Sequence, residues 1–315
     1  MRIFANPNYN FIKWRWHALI FSLAIIWIGV ATIFLKGGIP LGIEFTGGTQ
    51  VEVQFDQPTG EDVVRRAVET ISKDAMVQQV GRADERKLLV RLPEPPQMGK
   101  DTDDGKRVEA ALRAANVGSF QVRGTDIIGP VMGKDYQRKG ILATVAALGG
   151  ILVYVGFRFR FTFALGAIVA AFHDILITLV FLEWFHYELS LNVIAALLTI
   201  TGYSVNDTIV VFDRVRENQR TMRREPLDQI VNTSVNQTLG RTVLTAGLTL
   251  LSAISLYVFG GEVLRGLSFT MIVGIVTGTY STVFIAAAIA IILSRRTPVT
   301  QAGSKPAEAR RRARA

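Results

Sequence analysis

The chain has 315 residues, 49% of them apolar and only 19% charged, and a formal net charge of +9. A balance this apolar lies outside the range of an ordinary soluble domain and points to the membrane. There is no cysteine and there are three histidines, which excludes a disulfide framework, a thiolate metal site and a thiol nucleophile, and argues against zinc.

In chain order, a short basic tail (1–16, with Arg2, Lys13 and Arg15) leads into an apolar run over 17–36. That run is too long for a signal peptide and no small-x-small cleavage site follows it, so it reads as an uncleaved anchor. Five more runs are long enough to cross roughly 30 Å of hydrocarbon, at 140–157, 161–182, 189–212, 242–260 and 266–293. The expected fold class is an α-helical polytopic membrane protein of six spans. One α+β domain of ferredoxin-like βαββαβ order, residues 37–138, is inserted between spans 1 and 2, and the remaining spans fill 139–294.

Within 37–138, Thr49 to Phe55 alternates as a half-buried strand. A helix opens at Pro58-Thr59, with Val63, Val64, Ala67, Val68 and Ile71 as its apolar face. Strands follow at Met76–Val80 and Lys87–Leu92 around a polar turn at Ala83-Asp84. A Pro- and Gly-rich loop runs from Pro93 to Gly105, then a helix is marked by Val108, Ala111, Leu112 and Ala115, and a last strand by Phe120–Val122. This is the ferredoxin-like order, and it carries no catalytic cluster. Glycine-rich segments flank the domain, Gly42, Gly47 and Gly48 on one side and Gly129, Pro130 and Gly133 on the other. They read as hinges or as plain turns. No phosphate loop is expected, because no Lys-Ser/Thr follows the glycines.

The short loops set the orientation. Basic residues collect in the N-terminal tail, at Arg158 and Arg160, from Arg214 to Arg241, and in the tail 295–315. The alternate loops, Glu183–Glu188 and Glu262–Arg265, are acidic or neutral. Both termini are therefore expected in the cytoplasm and residues 37–138 outside. The basic C-terminal tail reads as a disordered topology signal, with anionic lipid or RNA binding as the alternative.

Two groups of ionisable or amide residues fall inside spans: His173-Asp174, and Asn206-Asp207 within Gly202–Thr208. An Asp at the centre of a span costs about 2.5–3.5 kcal/mol on insertion scales, so such groups mark ion paths or interhelical hydrogen bonds. Thr199, Tyr203, Asn206 and Val210 follow helical spacing, and their face is expected against a partner helix. Arg241 is read as opening span 5, with Asp213 and Arg214 as interface charges ending span 4. Gly274 and Gly278 form a small-xxx-small pattern for close packing.

Several stretches together resemble the SecF family of subunits of the bacterial Sec protein-export machinery. They are Gly42-Ile-Glu-Phe-Thr-Gly-Gly48, Ile128-Gly-Pro-Val-Met-Gly133, Leu152–Phe159, Ala171–Thr178, Ile200–Asn218, Gln237–Thr242 and Tyr257–Gly261. That family belongs with SecD in the resistance-nodulation-division superfamily. Two departures are Glu44, where the family pattern has Asp, and Gly240, where related chains carry a bulkier residue.

The resemblance implies a non-enzymatic subunit of the cytoplasmic (inner) membrane. It would pair with a SecD-like subunit and associate with the SecYEG channel and a YajC-like small protein. It would promote late translocation of unfolded preproteins on the proton motive force, with no cofactor and no nucleic acid. It points to Arg241 acting with an Asp of the partner, and makes Asp207, Asn206, His173, Asp174 and Asp213 further proton-relay candidates. The glycine segments become coupling hinges to the outer domain. Rival readings are half of a small-molecule or lipid transporter of the superfamily, a non-conducting assembly factor and, more remotely, an intramembrane hydrolase.

Overall fold

A computed structural model describes residues 7–73, 75–80, 86–92, 104–128 and 130–296. Gly129, the turn at Ala83-Asp84, most of the loop from Pro93, and the tails before residue 7 and after 296 lie outside the described residues.

Among the described residues, six helices are long and apolar enough to cross a membrane. They are α1 (Arg15–Leu35), α5 (Pro130–Arg158), α6 (Phe161–Trp184), α7 (Leu191–Thr221), α8 (Leu227–Phe259), and a sixth built from α9 (Gly261–Ser281), a π-helical stretch (Thr282–Ala286) and α10 (Ala287–Arg296). The small helices α2 (Ile43–Thr46), α3 (Glu61–Val68) and α4 (Asp104–Ala114) belong to the segment between α1 and α5.

Half or more of α6, α7 and the sixth span is buried inside the chain, against less than a fifth of α1, α5 and α8. Small residues make this inner trio possible. A Cβ on Gly274 would lie 2.9 Å from Ile200 Cβ, and one on Gly278 2.9 Å from Ser204 Cβ, so α9 rests its glycine pair directly on α7. Gly166 on α6 likewise faces the Ala286 carbonyl of the π-helical stretch.

Three helix boundaries differ from those expected. α5 starts at Pro130, so the boundary drawn at 138 falls inside a continuous helix. Proline suits such a first turn because its missing N–H has no intrahelical acceptor there. α7 continues two turns past Asp213, and α8 starts at Leu227 rather than near 242. The polar stretch 213–241 is thus a tight helical hairpin. It is polar in sequence but still buries Val215, Ile230, Val231 and Val235 at helical spacing. Arg241 consequently sits in the middle of α8, not at its start.

The segment before α1 packs on this hairpin. The N–H of Tyr9 donates to Asn236 Oδ1 at 2.8 Å and that of Phe11 to Asn232 Oδ1 at 2.9 Å, while Arg15 pairs with Asp228 at 2.9 Å. At the opposite end of the bundle Lys36 pairs with buried Glu183 at 2.7 Å, tying α1 to α6.

The inserted domain is one antiparallel sheet, β1 (Gly48–Phe55), β2 (Met76–Val80), β3 (Lys87–Leu92) and β4 (Phe120–Ile128), in the order β2-β3-β1-β4. This is the expected ferredoxin-like arrangement. Val51, Val53, Phe55, Leu88, Val90 and Leu92 bury one face beneath Val64, Val68, Val108 and Leu112 of α3 and α4. Val63 is 42% exposed, so it is not part of that apolar face, and Ala115 lies past the end of α4 and is exposed. Gly48 pairs with Ile128, which brings both connections to the membrane out at one corner of the sheet. There the expected glycine loop contains the single helical turn α2. Gly47 (φ 71°) and Gly48 (φ 115°) follow in a region that excludes most side chains. Gly133 comes so close that a Cβ there would lie 3.0 Å from Gly47 N.

Candidate functional site

Two polar centres occupy the interior of the helical bundle. The first joins α7 and α8. Asp207 is 6% exposed, and its Oδ1 accepts from Thr242 Oγ1 at 3.1 Å. Its Oδ2 is buried without a hydrogen-bond partner, a condition that hydrocarbon makes expensive. Arg241, next to Thr242, is exposed on the outside of α8. Its carbonyl accepts from Thr245 Oγ1 at 3.0 Å, while its guanidinium has no hydrogen-bond partner among the described residues.

The second centre holds α6 against α7 and α9. Asp174 Oδ2 accepts from Ser204 Oγ on α7 and from Ser281 Oγ on α9, the latter at 2.8 Å. His173 Nδ1 lies 3.0 Å from Asp174 Oδ1 and its ring stacks on Tyr280, but its Nε2 is buried with no partner. Tyr280 in turn donates to the Ala18 carbonyl at 2.8 Å and accepts from Ser22 on α1. One turn further along α7, Thr208 and Thr282 share a hydrogen bond of 2.9 Å at the start of the π-helical stretch. Although adjacent on the helix, His173 and Asp174 both point inward, because three helices converge on them rather than one.

The structure separates the other candidates from these centres. Asn206 is exposed, beside Gly202 and facing a groove lined by Gly150 and Tyr154 of α5. Thr199 shares that outward face; Tyr203 is only half exposed and its hydroxyl is buried without a hydrogen-bond partner. Among the described residues Asn206 is left exposed at the mouth of that groove. Asp213 receives both of its hydrogen bonds from Arg158 at the end of α5, at 2.7 and 2.8 Å. Arg214 is taken up by Gln237 and Glu217. Among the described residues no cluster of His, Asp or Glu forms a metal site. Ser204, Ser281, Tyr280 and Thr242 were not singled out from sequence as partners. Their signal was a hydroxyl inside an apolar span, which neighbouring Thr201, Thr245, Thr277 and Thr279 carry equally.

Comparison with known proteins gives a consistent result. The model of "Protein export membrane protein SecD/SecF, C-terminal" matches residues 107–296, and that of the "SecD/SecF GG Motif" matches residues 32–59. The protein translocase subunit SecF of Pseudomonas aeruginosa is 42% identical, covering 90% of this chain and 91% of its own length. That of Rhodothermus marinus is 39% identical over 94% and 96%. Among solved structures, SecDF of Thermus thermophilus, described as a translocon-associated membrane protein, superposes with a TM-score of 0.81 at 35% identity, covering 92% of this chain. SecDF in its super-membrane-facing form gives 0.67 at 34% identity, covering 99%. The present chain spans only 39% and 41% of those two SecDF chains.

Proposed function

This chain belongs to the SecF family of protein translocase subunits, and from that premise we propose that it couples the proton motive force to the late translocation of unfolded preproteins. It is a multi-pass membrane subunit of the Sec translocase with six candidate spans. In our reading both termini lie in the cytoplasm and the sheet domain lies outside the cytoplasmic membrane. The basic residues of the α7–α8 hairpin and of the 158–160 turn sit at the same end of the bundle as the N-terminal tail, which supports this orientation.

A SecD-like chain is the natural cover for the outward face. Gly202, Gly240 and Gly247 have no neighbouring atom within 4 Å of an added Cβ, so a second helix can approach them closely. Asn206 and Arg241 are exposed on the same two helices. A SecD-like partner holding a carboxylate against Arg241 would complete a proton path with Asp207. In this reading the His173–Asp174 pair would hold the bundle together, Asn206 would face the partner, and Asp213 would remain an interface charge beside Arg158. Such a unit would work beside SecYEG and a YajC-like protein as a transport subunit rather than an enzyme, drawing on the gradient and on no cofactor. One charge moved through 100 mV supplies about 2.3 kcal/mol, enough to bias a two-state motion.

The observation that carries this reading is the lone Oδ2 of Asp207 inside a span, one helix away from a guanidinium that faces outward. The test is late export into vesicles containing this chain, a SecD-like partner and SecYEG, with and without an imposed proton gradient. Arg241→Met should abolish the gradient's effect at normal complex abundance. Export that ignores both the gradient and the substitution would leave a scaffold, the assembly-factor alternative.

A further inference from the structure

Among the described residues Arg91 is the most deeply buried arginine of the outer domain, 7% exposed. It stands opposite Gln50 on the sheet face that α3 and α4 leave open. Its guanidinium reaches into three parts of the molecule. One Nη donates to the Leu41 carbonyl at 2.9 Å; the other donates to Gln50 Oε1 at 3.3 Å and to the carboxylate of Glu188. Leu41 belongs to the connection leaving α1, Gln50 to β1, and Glu188 to the turn between α6 and α7.

The same place is sewn together by the backbone. Leu41 and Leu189 form a parallel bridge, with Gly42 N–H donating to the Leu189 carbonyl at 3.0 Å and Leu189 N–H to the Pro40 carbonyl at 2.7 Å. The turn is anchored below as well, since Tyr187 stacks on Phe269 at 4.4 Å and its hydroxyl meets that of Tyr257 at 3.0 Å.

We infer that Arg91 is a positioning residue for transport: it closes a joint that makes the outer sheet and the α6–α7 turn move as one body. This inference rests on the proton-driven reading above and adds the route by which force leaves the membrane. The connection leaving α1 is a poor lever alone, because Gly37 and Gly38 have positive φ and open space around them. An arginine fork is satisfied only when its acceptors converge, and a buried guanidinium that loses its carboxylate is costly. The joint is therefore either closed or broken. It also lies at the shared end of the two helices that carry Asp174 and Asp207, so relative movement of α6 and α7 reaches the sheet directly.

The chain has no cysteine, so thiols placed at Leu41→Cys and Leu189→Cys report on this joint alone. Bridged neighbours on adjacent strands stand about 4.8 Å apart, inside the roughly 4.4–6.8 Å window for a disulfide. In vesicles with the SecD-like partner and SecYEG, Arg91→Met should lower gradient-driven export about tenfold, the size of an ordinary coupling between sites. Glu188→Gln, which leaves the outer domain's own contacts intact, should do the same. Oxidising the cysteine pair in the Arg91→Met background should restore export, and reduction should remove it again.

Native export by Arg91→Met, or no rescue by the disulfide, overturns the proposal. So does loss of export on oxidising the pair in a chain that keeps Arg91, because the joint would then have to open during transport. If the unmodified protein itself shows no response to the gradient, the proton-driven reading has failed instead. The joint is then judged by disulfide formation in resting vesicles, which Arg91→Met should slow and which equal rates would contradict.

Discussion

Thr242 gives Asp207 its single hydrogen bond, at 3.1 Å across the α7–α8 interface, and the second oxygen of that carboxylate is buried with none. An amide at 207 could still accept from Thr242 but could not exchange a proton with a gradient. We expect Asp207→Asn to assemble normally with a SecD-like partner and to lose gradient-driven export by about a hundredfold, the scale of removing a positioned proton carrier. Thr242→Val removes only the bond, worth about 0.6 kcal/mol between membrane helices, and should leave most export in place. Export assays at matched complex abundance separate the two.

Asp174 has a different task, since it accepts from helices on both sides. Asp174→Ala takes from Ser204 and Ser281 their acceptor on α6, leaving Ser281 only the Gly278 carbonyl of its own helix at 3.2 Å. With interhelical bonds averaging about 0.6 kcal/mol and reaching about 1.7, the bundle should lose about 1–3 kcal/mol, read as a lower unfolding midpoint in detergent. Asp174→Asn keeps an acceptor and should recover part of that loss. A normal midpoint combined with loss of gradient-driven export would assign proton transfer, not packing, to this pair.

The Arg158–Asp213 pair is partly exposed on both sides, 35% and 39%. Pairs of this kind contribute about 0–1 kcal/mol. Asp213→Asn should change neither the unfolding midpoint by more than that nor the response of export to a gradient. A lost response at normal abundance would place Asp213 on the proton path.

Gly274 is a packing position with no slack. Its Cβ would lie 2.9 Å from Ile200 Cβ, whereas one on Gly149 of α5 meets nothing within 4 Å. Overpacking of this kind costs about 1–3 kcal/mol. Gly274→Val should therefore lower the yield of folded protein and its melting temperature, while Gly149→Val leaves the isolated subunit unchanged.

Hydropathy made the six spans legible and alternation made β1 legible, because burial in lipid and burial in a sheet each impose one simple period, but β4 runs to Ile128, well past the expected Phe120–Val122. The helix ends were not legible in the same way. Hydropathy falls at Asp213, but Val215, Ile230, Val231 and Val235 keep a helical period and carry α7 and α8 onward. Missing that extension displaced Arg241 to a helix start. It also hid the Asp207–Thr242 contact, although the two residues lie almost equally far along the chain from Arg224, the middle of the hairpin turn. Asn206 and Asp207 are adjacent in sequence, yet only the packing of α8 decides that one faces out and the other in. The joint at Arg91 gave no local signal at all, because its acceptors come from three distant segments and one is a backbone carbonyl.

The hydrogen bonds from Tyr9 and Phe11 to Asn236 and Asn232 bear on the order in which the protein is built. The first span to leave the ribosome is held by residues made more than 220 positions later. At about 5–20 residues per second, that is a wait of roughly ten seconds to most of a minute. Throughout it, α1 has neither the Asn232–Asn236 anchor at its foot nor Tyr280 beside Ser22. During synthesis α1 can meet α6 first, through Lys36 and Glu183, but its N-terminal end must wait unanchored, sheltered by lipid or by the insertion apparatus. It takes its final place only when α8 and α9 arrive to receive it.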